Sequence, residues 1–592
     1  MPSLTLFIEF FDYSFLMIRG KFQRSGFNYE KLRDLGLFLY ASLGVMMNFY
    51  VTLINVDIYH EGDKFPSVIV MSDGGMIFRD VNNIYGFFQT LIQLPFLELF
   101  GAHLLVSRVV GFVIKLLVVV LFVSVLMLFT SQRLAIFSGA TWLVITPSWT
   151  NLLGEKFTNG FAWPTHYGVL FLLLSIILYP HKYSLSSFRT GLFFLSGFSL
   201  ALAWSARLEF FASWIACFFV LFIQFKRKVI SRAELASWTS GGIAFFLISL
   251  SWLRHNGALW GWFEQTILAW FSNPPAQPKM TVIWFGMNLF SFTGIGVLGL
   301  LCFFVFFYLG HRKVLSSAIS ISLILFFIYL GQILQDYKIG GYHPGAWFFE
   351  MSNRGLLSFV NIFFALGLFA SCIVIYNFLL RKNSRRSSEL VILISTLNIS
   401  LLSMLHIVNA DYLHMFIFTY VFSSVWYLKI SKFPDFIGRK NIYSSAIASI
   451  SIFATFATYS FATTAIKPTF PYRTSILSGL SDQSVLARNS IDMTMTTVAK
   501  YSTDGIWSFC ISGLPTVASG TYASKDKWVW NLQPEPWMVK RWSQVRVGDY
   551  MYVCSLSLGE QKILNRNLRQ GNIALIENGD GFTIYQVSQE LE

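Results

Sequence analysis

Residues 56–86 read VDIYHEGDKFPSVIVMSDGGMIFRDVNNIYG. They follow directly on an apolar run at 35–54, so the stretch begins where a helix long enough to cross a bilayer ends. It sets Asp57, His60, Glu61, Asp63, Arg79 and Asp80 beside a membrane face, in a chain of which only 12% of residues are charged. Ionisable groups at such a face are costly unless solvated, paired or used, so this cluster is the first candidate for chemistry.

Outward from it, apolar runs dominate. Of 592 residues 55% are hydrophobic and 62 are Phe, and the mean hydropathy is +0.57. Soluble domains are also about half apolar, but they lack repeated uninterrupted runs of about 20 such residues. Here runs fall near 35–54, 104–129, 134–147, 167–179, 189–205, 209–225, 236–253, 286–309, 314–333, 355–379, 388–407, 412–428 and 442–465. The reading is an all-α polytopic membrane protein of about 13 transmembrane helices.

The net charge of +14 is a topology signal. Basic residues gather between apolar runs, at Arg19/Lys21/Arg24, Lys226/Arg227/Lys228, Arg312/Lys313, Arg381/Lys382/Arg385/Arg386 and Lys429/Lys432/Arg439/Lys440. The positive-inside rule assigns those loops to the cytoplasm, and nothing in the pattern supports a nucleic-acid partner. With a cytoplasmic N-terminus, an odd number of spans puts the chain from about Lys467 outside. The expectation is a multi-pass plasma-membrane protein with an extracytoplasmic C-terminal domain. The long loops 55–103, 148–166, 254–285 and 334–354 then lie outside, and WGWFEQTILAWF (260–271) reads as an interfacial helix. The first twenty residues lack a basic n-region and also read as an interfacial helix, not a cleaved signal.

Residues 1–466 form the multi-spanning domain and residues 467–592 read as a small soluble α/β domain. GIWSFCIS, DYMYVCSLS, NIALIEN and FTIYQVS have strand character, and SVLARNSIDMTMTTVAKY and GEQKILNRNLRQ have helical spacing. No catalytic motif occurs there, so the domain reads as a lid or an acceptor contact. Cys217, Cys302 and Cys372 lie in apolar runs, as small buried hydrophobes do. Cys510 and Cys554 lie in the outer domain, where a disulfide between them is compatible with the compartment.

The order of motifs carries a resemblance. D-x-x-H-E-G supplies Asp57, His60 and Glu61. G-G-x-x-F-R-D-x-x-x-x-Y-G supplies Gly74-Gly75, Arg79-Asp80 and Tyr85-Gly86, and Leu99-Phe100-Gly101 and Arg108 follow. Together they resemble the GT-C class of membrane glycosyltransferases, in the bacterial branch related to protein O-mannosyltransferases and lipid A aminoarabinose transferases. The match in detail covers about the first quarter of the chain, and Arg207 and Glu209 resemble an R-x-E element common in such proteins. The resemblance implies transfer of a sugar from a polyprenyl-phosphate donor to a glycan, lipid or protein acceptor on the outer face of the membrane. It also implies that the first-loop acid, Asp57, is the base.

The other candidates carry more than one reading each. His60 and Glu61, three and four residues after Asp57, either orient it, hold a divalent metal ion with it, or bond the loop. Arg79 and Asp80 are either a structural ion pair, or a phosphate contact and a second site carboxylate. Arg207 and Glu209 are either a local pair or a lipid-phosphate contact. Lys338, His343, Asp411 and His414, in further outer turns, could contact donor phosphate or acceptor hydroxyls. A transporter or flippase of lipid-linked saccharides is the main competing function, and a polymer ligase the nearest enzymatic one. A transporter should place its charges mid-span and show paired repeats, and neither is evident here.

Overall fold

The computed structural model describes residues 29–56, 61, 64–81, 83, 86–128, 131–148, 164–180, 188–207, 210–268, 458–459, 461, 468–501, 506–509, 528–529, 542–554, 558–579 and 582–591. These are mostly helical, with a small sheet region towards the C-terminus. The helices are α1 (Tyr29–Leu53), α2 (Phe65–Ser72), α3 (Phe88–Phe100), α4 (Leu104–Met127), α5 (Gln132–Ile145), α6 (Pro164–Leu178), α7 (Arg189–Ala206), α8 (Phe210–Lys226), α9 (Arg232–His255) and α10 (Leu259–Trp262). A π-helical turn, Phe263–Leu268, continues α10. Arg33–Leu53, Leu104–Met127 and Arg232–His255 are long and apolar enough to cross a membrane, and Pro164–Leu178 and Ser213–Lys226 are shorter apolar helices. Every apolar run noted before residue 254 falls on one of these helices. Those from 286 onward, and the expected N-terminal interfacial helix, lie almost wholly outside the described residues, so the count of about 13 stays an expectation.

Lipid gives no hydrophobic drive for helix association, so the contacts between helices carry polar bonds. Ser175 and Ser196 each donate to the other's backbone carbonyl at 2.8 Å, joining α6 to α7. Ser107 on α4 donates to Gln93 of α3 at 2.8 Å, and Gln93 donates to the Tyr167 hydroxyl on α6 at 2.9 Å. Asn48 of α1 donates to the Leu143 carbonyl of α5 at 2.6 Å. At its start α9 carries a capping box, with Ser231 accepting from the Glu234 N–H and Glu234 accepting from the Ser231 N–H. Glu234 also pairs with Arg189 at the start of α7.

Beyond residue 468 come β1 (Phe470–Pro471), β2 (Ser481–Asp482), α11 (Val485–Lys500), β3 (Ile506–Phe509), β4 (Trp528–Val529), β5 (Tyr550–Val553), α12 (Leu558–Gln570), β6 (Ile573–Gly579) and β7 (Phe582–Val587). β1 and β2 pair antiparallel, and the other five form one sheet in the order β4-β3-β5-β7-β6. β3 runs parallel to β4 and β5, while β7 is antiparallel to β5 and β6. Trp507, Phe509, Trp542, Met551 and Leu564 fill the core between this sheet and α12. Cys554 is disulfide-bonded, and its N–H donates to the carbonyl of Phe509, the residue before Cys510.

Candidate functional site

The loop that follows α1 is anchored from the side by α4. The chain leaves α1 through Asn55 at φ 50°, left-handed backbone that asparagine adopts more readily than most residues. The end of a helix leaves its last carbonyls without partners. Arg108 of α4 supplies them, donating from Nη1 to Thr52 O at 3.0 Å and Ile54 O at 2.9 Å, and from Nη2 to Asn55 O at 2.8 Å. The same guanidinium grips Glu61, Nε to Oε1 and Nη2 to Oε2, each at 2.6 Å. All five of its N–H donors thus have acceptors. Arg108 is 0% exposed and Glu61 2%, and a buried charge persists only when paired and hydrogen-bonded in this way. Residues 57–60, with Asp57 and His60, lie outside the described residues, between these two held points.

The second half of the loop is organised around Asp80. Its Oδ2 accepts from the Met76 N–H at 2.8 Å and from Arg79 Nη2 at 2.6 Å, and its Oδ1 accepts from Arg79 Nε at 3.0 Å. Arg79 Nη1 also donates to the Asn256 carbonyl at 3.1 Å, just past the end of α9. The hydrogen bonds that Arg79 donates to Asp80 raise its pKa above the ordinary arginine value. Asp80 is buried, whereas the Arg79 side chain is 43% exposed.

Phe78 sits at φ 67°, a conformation an aromatic side chain rarely adopts and that its surroundings must hold. Its carbonyl accepts from Gln265 Nε2 at 2.9 Å, and Gln265 Oε1 accepts from the Asn83 N–H at 2.9 Å. A Cβ at Gly261 would stand 2.1 Å from the Phe78 carbonyl oxygen, so only glycine lets α10 close on the loop. The segment expected to lie along the interface is therefore a brace for the loop, with Trp262 buried and Trp260 67% exposed. Gly86 closes the loop against α7: its N–H donates to Ala206 O at 3.1 Å, and a Cβ there would stand 1.6 Å from Ser205 O.

Arg207, just past α7, is buried and donates to Thr165 Oγ1 of α6 at 3.1 Å. Of the residues singled out in the sequence, the structure thus places Glu61, Arg79, Asp80 and Arg207. Asp57, His60, Tyr85, Glu209, Lys338, His343, Asp411 and His414 lie outside the described residues. Among the described residues no group of three His, Cys, Asp or Glu is placed to hold a metal ion. Both Glu61 oxygens are taken by a buried cation, which fits a loop anchor better than a metal ligand.

Two features were not drawn from the sequence. One is the reach of Arg108 back to the end of α1, whose only signal was an arginine in the first turns of an apolar helix. The other is a groove of about 1160 Å³ between α7, α8, α9 and α10, walled by Trp204, Phe211, Trp214, Phe246, Trp260 and Phe263. Its polar landmark is Arg254, an exposed residue in the last turn of α9 that has no ion pair among the described residues. Arg79 stands beside it: a Cβ at Gly257, on the groove wall, would lie 3.6 Å from Arg79 Cδ.

No protein-family model matches the chain, and no curated protein matches it. Among solved structures it is similar to ArnT from Cupriavidus metallidurans bound to undecaprenyl phosphate, at 11% identity and a TM-score of 0.42 over 93% of this chain and 97% of that one. It is also similar to the archaeal oligosaccharyltransferase AglB from Archaeoglobus fulgidus in complex with an inhibitory peptide and a dolichol-phosphate, at 13% identity and a TM-score of 0.47 over 89% of this chain and 70% of that one. ArnT, a lipid A aminoarabinose transferase, and AglB are both GT-C class membrane glycosyltransferases. At these identities and TM-scores the likenesses do not by themselves assign an activity to this chain.

Proposed function

We propose that this chain is a membrane glycosyltransferase that moves a sugar from a polyprenyl-phosphate donor to an acceptor hydroxyl on the extracytoplasmic face. The observation that carries the reading is the groove, an apolar cleft between helices with Arg254 on its wall and Arg79 beside Gly257 of that wall. An isoprenoid tail requires apolar walls, and the phosphate it carries requires cations at headgroup depth. The order of motifs in the loop after α1 supports the same assignment.

In the reaction, the acceptor oxygen forms a bond to the anomeric carbon while the bond from that carbon to the phosphate oxygen breaks. The electron pair leaves with the polyprenyl phosphate, where Arg79 and Arg254 stabilise the growing charge. Asp57 accepts the proton from the acceptor hydroxyl. Asp80 is the less suitable base, because its oxygens already accept from Arg79 and the Met76 N–H. Its role is to aim Arg79. A divalent ion at Asp57 and His60 would add Lewis-acid stabilisation of the phosphate. Arg207, Glu209, Lys338, His343, Asp411 and His414 are assigned to donor or acceptor contact. Residues 467–592 are assigned to the outer face, and the acceptor is a glycan, a lipid or a protein.

The test is reconstitution of the full chain in liposomes with a labelled polyprenyl-phosphate sugar. Release of polyprenyl phosphate coupled to acceptor labelling is expected, and Arg254→Gln should raise the donor KM by about tenfold, the worth of one charge-assisted hydrogen bond. Movement of intact donor across the bilayer without sugar release would instead identify a flippase.

A further inference from the structure

The outer domain reaches the end of α1 through a short polar latch. Asn55 N–H donates to Ser481 O at 2.7 Å, continuing a parallel bridge between Ile54 and Ser481. The side chains of Asn55 and Gln483 then engage reciprocally: Asn55 Nδ2 donates to Gln483 Oε1 at 3.1 Å, and Gln483 N–H donates to Asn55 Oδ1 at 3.0 Å. One residue further, the Val56 N–H donates to the Tyr472 hydroxyl at 3.3 Å, and that hydroxyl donates to Asp482 Oδ2 at 2.7 Å. Asp482 is itself held, its Oδ1 accepting from the Ser484 N–H at 2.7 Å. Tyr472 and Asp482 are 7% and 6% exposed. Burial first, then the bond to Asp482, holds the phenol proton well above the ordinary tyrosine range, so the hydroxyl stays a donor at physiological pH.

The two parts also meet through apolar contact beside this latch. Val56, Phe65, Val68 and Leu104 already pack with Tyr472, Ile476, Leu477 and Leu480 in one apolar cluster. Apolar contact is non-directional, whereas the latch fixes the chain atom by atom at the two residues that precede Asp57. It also engages Asn55 in its left-handed conformation, a backbone state open to asparagine.

We propose that Tyr472 and Gln483 are positioning residues of the outer domain that set the backbone at Asn55–Val56 and, through it, the placement of Asp57. This rests on the reading of Asp57 as the base. The domain is then part of the transfer site rather than an appended lid.

The experiment uses the full chain in liposomes with a polyprenyl-phosphate sugar, comparing wild type with Tyr472→Phe, Gln483→Ala and Asp57→Asn. Steady-state transfer is measured beside hydrogen exchange of the peptide over residues 54–61. Tyr472→Phe leaves the Val56 N–H and Asp482 without their shared partner and should lower kcat roughly 10–100-fold, as expected for a misplaced catalytic group. The donor KM should stay within about twofold, because the groove is untouched. Exchange should rise at residues 54–56 and stay at wild-type level across β5 and β7. Gln483→Ala should show the same pattern more weakly. Full transfer rates in both latch variants would overturn the proposal, as would a loss accompanied by faster exchange throughout the outer sheet. If Asp57→Asn retained transfer while Tyr472→Phe lost it with local loosening, Tyr472 would still position the loop but not through Asp57, and the assignment of the base would fall. If Asp57→Asn abolished transfer and the latch variants did not change it, the assignment of the base would stand and the latch would fall.

Discussion

Glu61–Arg108 and Arg79–Asp80 are both arginine–carboxylate pairs that hold the loop after α1, the first reaching into it from α4, and each closes on contacts near 2.6 Å. They differ in reach and in water. The first joins residues 47 apart in sequence, is wholly buried, and uses every donor of its guanidinium. The second joins neighbours, and its arginine side chain is 43% exposed, beside Gly257 on the wall of an apolar groove. A fully committed guanidinium can hold a scaffold and has nothing left for a ligand. A half-exposed one, aimed by a buried carboxylate, can still meet an anion. The same chemical pair therefore marks scaffold at one end of the loop and candidate binding site at the other.

The largest effect expected from this contrast is on stability. Arg108→Ala leaves Glu61 buried without its partner and three helix-end carbonyls without donors, a loss of about 3–5 kcal/mol. Thermal unfolding in detergent should report it, and a stability equal to wild type would remove the scaffold role. Arg79→Gln should leave unfolding almost unchanged and raise the donor KM by roughly tenfold, since it removes one charge-assisted contact to phosphate. A collapse in stability with no change in KM would move Arg79 into the scaffold class. The smallest effect belongs to Arg133–Asp34, whose side chains are 41% and 52% exposed. Asp34→Asn should cost less than about 1 kcal/mol and change no kinetic constant, which calibrates the other two.

The helices were legible because their signal is local. Runs of spanning length marked α1, α4 and α9, and shorter runs and the basic residues between runs marked their neighbours. In the C-terminal sheet region β3, β5, β6 and β7 showed in the apolar, β-rich stretches GIWSFCIS, DYMYVCSLS, NIALIEN and FTIYQVS, and both helices in the spacing of SVLARNSIDMTMTTVAKY and GEQKILNRNLRQ, whereas β4 did not show. The site was legible only as a list of charges. Glu61 was read from its place four residues after Asp57; its bonds to Arg108, 47 residues away, are a contact that helical spacing cannot register. Residues 260–271 read as an interfacial helix from their tryptophans, and the described part, to Leu268, also braces the loop. The short contact of Gly261 with Phe78, which makes them a brace, depends on a backbone meeting that no periodicity encodes. The latch between Asn55 and Gln483 spans 428 residues and left no mark in either segment.

The central claim is that the loop between Val56 and Glu61 supplies the base for sugar transfer, and Asp57→Asn tests it most directly. The substitution keeps the size of the side chain and its capacity for hydrogen bonds while removing the basic oxygen. Transfer from a polyprenyl-phosphate sugar should fall by about 10²–10⁴-fold, with membrane insertion and thermal unfolding unchanged. Transfer at near wild-type rate by Asp57→Asn would contradict the account.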